Sequence, residues 1–482
     1  MSLIPDREVL PRTLKNPRFA YFGMLCGHIW IWDACHMAGA ANPDLSPTTT
    51  IYMAMTIFLL AVTVAALLFK TTQRMVARAD WPVAALMAIA TLTLTLPLPQ
   101  GLPRETVIGV AAVFGGIGIG WSYMQWAFFY AGLGVRDAIA CIFGAMVIGS
   151  ALKLPVDLLP TVPAAVVCAV LPFASVVCYR RAQRHIAQDG PADEPTERPY
   201  SLRTLQPLLK IMLGVAAYGL VIGIMQGMTI QAAEAPKWVL SSVHHLAEIA
   251  AAVFVLYHVF VRRKLLHFGN LWRAILVFTS TGVLALPVFG TLLSGWALVA
   301  VGVAQTLVVM LLWAMLADIA HRSTLPPLAV FGFGWCAYCL PFPLGHALGA
   351  LFTLDEASVS LISVIVYLLA MASVFLLDEH DFSRFRIFAD LEEPAVSPAL
   401  FDTMEHVCQE LGRTAGLTER EVQVMQLVCQ GRSKGYIAET LCISENTVRS
   451  HARHLYAKLD VHSKQELLDL MMERLGSPRT GA

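Results

Sequence analysis

The sequence predicts an all-α chain in two parts: a polytopic bundle of about twelve transmembrane spans arranged six plus six, followed by a small soluble helix-turn-helix domain. Three observations predict it. Only 14% of the 482 residues are charged, against about 25% in soluble domains. Apolar stretches of bilayer-crossing length recur from residue 19 to residue 377. From Leu417 the pattern changes to short amphipathic segments with capping signals.

The spans fall at 19–40, 49–70, 81–98, 106–131, 135–152 and 158–179, and then at 207–231, 238–261, 271–293, 296–318, 328–352 and 358–377. Apolar residues run right round each segment instead of along one stripe, which marks spans and not surface helices. The fifth and sixth are the weakest, because Lys153 and Asp157 crowd their junction and Pro160 and Pro163 fall early in the sixth. Residues 1–18 are polar and basic and contain no apolar core of signal-peptide length. The ten cysteines are scattered, most of them inside apolar spans, which is the usage of small hydrophobes and not of a disulfide framework.

Orientation follows from Lys and Arg. With the N-terminus in the cytoplasm, basic residues such as Arg74, Arg78, Arg180, Arg181, Arg184, Arg262, Arg263 and Lys264 fall on the cytoplasmic side. Only Arg104, Lys153 and Lys237 fall opposite. An even number of spans returns the C-terminus to the cytoplasm, where DNA is. The expected location is therefore the bacterial cytoplasmic (inner) membrane, with both termini inside.

The spans divide around a linker, 180–206, rich in charge, Pro and Gly, which is expected to be mobile. Six plus six with a cytoplasmic middle loop resembles the major facilitator superfamily over 19–378, on layout alone. The loop between spans two and three, KTTQRMVARAD, is basic but lacks the Gly of that family's usual loop.

Ionisable groups at membrane depth are costly and usually face a cavity or a partner. In the first span His28, Trp32 and His36 share one helical face, with Asp33 beside it. They form either a ligand or proton site with aromatic walls or an interfacial belt with Trp30. Gln226 and Gln231 lie in the seventh span, and His244, His245 and Glu248 open the eighth, with His244 and Glu248 one helical turn apart. If the two halves are pseudo-symmetric, the first and seventh spans correspond and these groups can face one another across a cavity. The alternative puts His244 and His245 at the outer water interface. The ligand candidates are thus His28, Trp32, Asp33, His36, Gln226, Gln231, His244 and Glu248. Tyr123, Gln125, Trp126 and Gln305 are weaker ones, and Asp318 and His321 read as interfacial. Glycines spaced four apart (Gly116 and Gly120; Gly219, Gly223 and Gly227; Gly345 and Gly349) read as helix-packing positions. GGIGIG at 115–120 lacks the context of a dinucleotide fingerprint, and the CxxC at Cys336 and Cys339 lies in an apolar span that suits neither redox nor metal chemistry. No nucleophile–base set or metal-ligand spacing stands out, so neither an enzyme nor a cofactor is expected.

After the linker 379–413, which ends in a short helix near 400–412, residues 414–476 form the C-terminal domain. Thr418 and Glu421 make a capping box. Val422, Met425, Val428 and Cys429 line the buried face of the first helix, and Gly431 ends it. A second helix to Leu441 buries Ile437 and Leu441. Ser444 caps a third, ENTVRSHARHLYAKL, in which Val448, Ala452, Leu455 and Leu459 fall at core spacing. Arg449, Ser450 and Arg453 then point outward as base readers. Lys434, Ser444, Thr447, His451, His454 and Lys458 are candidate phosphate contacts. Residues 412–482 hold ten Lys and Arg against eight Asp and Glu, so non-specific DNA affinity should be modest.

The order and spacing of LTERE, IAETL, ISENTVRSH and YAKLDVHS closely resemble the LuxR/NarL-type helix-turn-helix over about 415–475. The resemblance implies that Arg449, Ser450 and Arg453 occupy base-reading positions. It also implies that KQELLDLMMERLG is a dimerising helix, with Leu468, Met471 and Met472 as contacts. The chain is then expected to be a membrane-integral one-component transcription regulator. Its partners would be double-stranded promoter DNA, the lipid bilayer and an unidentified small-molecule inducer, and it would be a homodimer on DNA. The alternative is a secondary transporter carrying a regulatory DNA-binding tail.

Overall fold

The computed structural model describes residues 11–15, 17–42, 45, 47–69, 72–97, 103–189, 208–227, 236–262, 299–350, 407–429, 434–441 and 443–476, with residues 275, 296, 360, 364 and 367 besides. The described residues are helical and contain no strand. The chain divides into two compact units, Met1–Glu392 and Glu393–Ala482.

In the first unit, α1 is a broken helix assembled from Phe19–Phe22, Leu25–Ile29, Trp30–Ala34 and Cys35–Ala41. Its third piece is a π-helical turn, a local distortion often found at functional positions. There follow α2 (Pro47–Leu68), α3 (Asp80–Thr95), α4 (Arg104–Ala131), α5 (Val135–Asp157), α6 (Thr161–Asp189), α7 (Leu208–Gly227) and α8 (Lys237–Phe260). Beyond them lie α9 (Val299–His321), α10 (Pro327–Cys339) and α11 (Pro341–Ala350). Among the described residues seven helical stretches are long and apolar enough to cross a membrane, and the Asp80–Thr95 and Ile211–Gly227 stretches are shorter apolar ones. The outward-facing side chains of α2, such as Ile57, Leu60 and Leu68, are exposed apolar groups, the surface a lipid-facing helix requires. The ninth and twelfth expected spans lie largely outside the described residues.

Two sequence expectations change. The fifth and sixth spans, the weakest by sequence, are long helices: Pro155 and Pro172 sit inside α5 and α6 without ending them, as transmembrane helices tolerate. The expected linker at 180–206 begins late, because α6 continues to Asp189. The Arg180 guanidinium donates from Nε to Asp80 at 2.9 Å and lies over the Trp81 ring, which ties this turn to the start of α3.

The four-spaced glycines do pack helices. A Cβ on Gly219, Gly223 or Gly227 of α7 would run into the carbonyls of Tyr338, Phe342 and His346, and one on Gly345 or Gly349 would meet those of Leu220 and Ile224. The backbones of α7 and α11 therefore touch directly. Gly115 and Gly118, inside GGIGIG, face the Trp30 ring and the Met87 side chain, which is helix packing again.

The second unit contains a short helix over 407–414, α12, then α13 (Glu419–Cys429), α14 (Lys434–Thr440), α15 (Glu445–Leu459) and α16 (Lys464–Gly476). Its core gathers Cys408, Leu411, Val424, Met425, Val428, Ile437, Val448, Leu455, Leu467 and Met471. Val424 is fully buried whereas Val422 and Cys429 are partly covered, so the buried stripe of α13 is rotated slightly from the expected one.

Candidate functional site

Two places carry chemistry, one in each unit. In the C-terminal unit the helix ends are built by local polar chemistry. The Thr418 amide donates to Glu421 Oε2 at 2.8 Å and the Glu421 amide donates to Thr418 Oγ1 at 3.3 Å, the reciprocal capping box read in the sequence. The Thr447 amide donates to Ser444 Oγ at 3.1 Å, which fixes the start of α15. A further helix cap, not anticipated from the sequence, joins Ser463 and Glu466: the Glu466 amide donates to Ser463 Oγ, and the amide of His462, one residue before the cap, donates to Glu466. The His462 N–H and the Ser463 hydroxyl hold the Glu466 carboxyl below the usual carboxylate range. Asp460 closes α15 in the left-handed conformation, φ 56°.

With Val448, Ala452 and Leu455 buried, α15 turns Arg449 and Arg453 fully outward and leaves Ser450 at the edge. This is the geometry of a recognition helix whose exposed side chains can reach base edges. His454 is exposed and Thr447 and His451 are half-covered beside them. Lys458 has a structural task that its sequence neighbourhood does not announce. Its ammonium donates to Glu421 Oε2 at 2.7 Å and to the Gly416 carbonyl at 3.1 Å, so it braces α13 against α15. Ser444 is likewise engaged as the cap, and its hydroxyl sits 2.7 Å from that of Thr447. The side chain of Lys434 lies outside the described residues. On α16, Met471 is 2% exposed and belongs to the domain's own core, because α16 packs back on α13. Leu468 remains half-covered, and the side chain of Met472 lies outside the described residues.

In the membrane unit α1, α5, α8 and α9 bring charged groups together where sequence reasoning saw only fragments. Glu248, fully buried on α8, accepts from Ser150 Oγ and Thr306 Oγ1, each at 2.7 Å, and from Lys153 Nζ at 3.1 Å. Lys153 is itself fully buried. It lies 3.2 Å from His28 Nε2 and over the face of Trp32. In the sequence it reads as a loop residue; the continuation of α5 to Asp157 buries it instead. His245 bridges two carboxylates, with Nδ1 3.1 Å from Glu248 Oε2 and Nε2 2.9 Å from Asp157 Oδ2, and Ser241 donates to Asp157. His244 stacks on Trp32 with centroids 4.7 Å apart and planes 12° from parallel.

Of the ligand candidates, His28, Trp32, His244 and Glu248 thus come together. His244 and His245 are buried, not at an aqueous interface. His36 packs on the Trp32 ring at the exposed end. Asp33 is buried in the π-helical turn with Oδ2 lacking a hydrogen-bond partner. Gln226 belongs elsewhere: it donates to Gln305 at 3.2 Å, and Gln305 donates to the Tyr338 hydroxyl at 3.0 Å. Among the described residues the first span meets the fifth and eighth here. Gln231 lies outside the described residues. Lys153, Asp157, Ser150 and Thr306 were missed as site residues, and only the cost of an ionisable group in an apolar run could have flagged Lys153 and Asp157. Trp30 is no interfacial residue, being fully buried with its Nε1 donating to Thr91. Gln125, one of the weaker candidates, donates to Asp80. Asp318 is buried too, 3.8 Å from Arg322.

Residues 415–471 match the family model described as bacterial regulatory proteins, luxR family. This region is a luxR-family helix-turn-helix. It is 40% identical over 73 residues to the HTH-type transcriptional regulator MalT of Serratia proteamaculans, and 46% identical over 57 residues to MalT of Yersinia pestis. The luxR-type stretch is a small part of either relative: the matches span 8% and 6% of those proteins and 15% and 12% of this chain. Solved structures similar to the chain include the E. coli fucose:proton symporter FucP (11% identity, TM-score 0.40, 73% of this chain and 98% of that one). A second is FucP, a major facilitator superfamily transporter, in the outward conformation (10% identity, TM-score 0.43, 74% and 99%).

Proposed function

We propose that this chain is a membrane-integral one-component transcription regulator. Its luxR-type domain binds promoter DNA and its membrane unit senses a small ligand. The observation that carries the reading is the presence, on one polypeptide, of membrane-spanning helices and a luxR-type domain whose Arg449 and Arg453 are free to meet DNA. DNA lies in the cytoplasm, so both termini are inside and the membrane is the bacterial inner membrane, in keeping with the bias of Lys and Arg along the chain. Ligand binding changes the balance between two arrangements of the membrane helices by its difference in affinity for them, and this alters how the DNA domains pair. The paired domains would read half-sites about one helical turn apart. The chain acts by binding and not by catalysis.

The deciding experiment replaces residues 1–378 by an unrelated membrane anchor and follows a promoter bound by the intact chain. Loss of inducer response with retained promoter occupancy supports sensing by the membrane unit; an unchanged response makes that unit a mere tether. A second reading, active transport, draws on the ion network buried among α1, α5, α8 and α9, since such groups often line ion paths. Saturable accumulation of a labelled solute in vesicles would favour it.

A further inference from the structure

The buried network has the donor set of a metal site. We propose that His244, His245 and Glu248 bind a divalent transition-metal ion of the zinc class, an assignment that rests on the sensing role proposed for the membrane unit. One ligand atom from each of the three residues lies within 4.8 Å of the others. Two of the spacings are 3.1 Å (His245 Nδ1 to Glu248 Oε2) and 3.2 Å (His244 Nε2 to Glu248 Oε1). Donors about 2.0–2.1 Å from a tetrahedral ion lie about 3.3 Å apart, close to both of these contacts, each of which uses its own Glu248 oxygen. Imidazole and carboxylate together suit zinc, cobalt or nickel better than magnesium or calcium.

Two further observations point to an ion. His244 is 4% exposed and its Nε2 lies 3.2 Å from Glu248 Oε1, so two of the three donors are buried and already turned toward one another. The surroundings also hold the donors in place as outer partners of metal ligands do. Asp157 faces Nε2 of His245, which leaves Nδ1 directed at Glu248. Ser150 and Thr306 anchor the Glu248 oxygens. The ring of His244 is seated against Gly302, where a Cβ would lie 2.7 Å from its Cε1.

Lys153 is the competitor. Its ammonium compensates Glu248 and faces His28 Nε2. An incoming divalent ion takes over that compensation, and like charge drives the ammonium off the carboxylate. His28 Nε2, 3.2 Å from that ammonium, then loses its partner as well. Ion binding to α8 would thereby break the bond between α8 and α5, the differential contact that a sensing helix pair needs.

The test uses the full-length protein in nanodiscs, stripped with chelator and then titrated with Zn²⁺ by calorimetry, with bound metal counted by elemental analysis. Co²⁺ serves as a spectroscopic probe. One ion per chain is expected, with the visible absorption of tetrahedral cobalt. His244→Ala and Glu248→Gln should each weaken binding by at least about tenfold, the scale set by loss even of outer-shell support. Lys153→Met removes the competing charge and should tighten it. Absence of stoichiometric zinc in the wild-type protein overturns the proposal without relying on any variant. So does binding that His244→Ala and Glu248→Gln leave unchanged in protein that elutes as a single folded species. Promoter occupancy is read separately. Zinc bound without any effect on occupancy sustains the site and refutes sensing through it; occupancy responding to other inducers with no zinc bound refutes the site alone.

Discussion

Lys458 on α15 holds the Glu421 carboxylate on α13 at 2.7 Å, and the same carboxylate caps its own helix through the Thr418 amide. One side chain therefore closes a helix end and locks the recognition helix to its support. Burial alone would push the Glu421 carboxyl up, but the Lys458 ammonium and the Thr418 N–H outweigh it and hold it at about 2, below the ordinary value of 4.5. A carboxyl depressed on folding stabilises the fold above its unfolded value, and that contribution is lost as pH falls through its folded value. The isolated unit 393–482, which has its own core, should lose stability between pH 4.5 and about 2. Glu421→Gln should cost about 1 kcal/mol near neutrality and flatten that stretch of the pH profile. Urea melts at pH 7, 4 and 2.5 check both.

The Ser444 hydroxyl accepts from the amide that starts the recognition helix. Ser444→Ala should cost about 1 kcal/mol of domain stability. It should weaken DNA binding uniformly across sequences, as loss of helix placement would. Thermal unfolding together with binding to matched and mismatched duplexes separates this from a loss of base reading.

Arg449 and Arg453 are the exposed arginines of α15. Arg449→Ala or Arg453→Ala should cost about 1–3 kcal/mol on the preferred site and relax preference at one base pair. His454→Ala should leave sequence preference intact. Competition binding against single-base variants of a selected site measures the difference.

Gly223 presses on the Phe342 carbonyl, whereas a Cβ added to Gly109 on α4 would meet nothing within 4 Å. Gly223→Ala should therefore destabilise the membrane unit by about 1–3 kcal/mol through overpacking. Gly109→Ala should be neutral or stabilising by up to about 1 kcal/mol. Thermal unfolding in detergent of the two variants gives the comparison.

The C-terminal domain was legible because its signals are local. Thr418 with Glu421, Ser444 with Thr447, and the apolar spacing of α15 all act within a few residues. The same locality explains the errors there. Nothing near Lys458 in sequence announces Glu421, 37 positions away, and the apolar stripe of α16 does not reveal which side chains the domain keeps for its own core. Hydropathy located the spans whose helices are described, because each must be apolar to lie in lipid. It failed around Lys153, where a charge in an apolar run looked like the end of a span. Lys153 meets Glu248 across 95 residues, and pairing between helices so distant in the chain leaves no periodic trace. The π-helical turn at Trp30–Ala34, which carries Asp33 into the interior, is invisible to hydropathy for the same reason.

The central claim is that a membrane-embedded chain reads specific DNA through α15. The most direct measurement is genome-wide mapping of DNA crosslinked to the full-length chain in intact cells, with the Arg449→Ala, Arg453→Ala double variant alongside. The wild type should occupy a small set of promoters sharing a dyad motif, and the double variant should lose them at equal membrane abundance. Uniform background in both, or peaks that survive the double substitution, would contradict the claim.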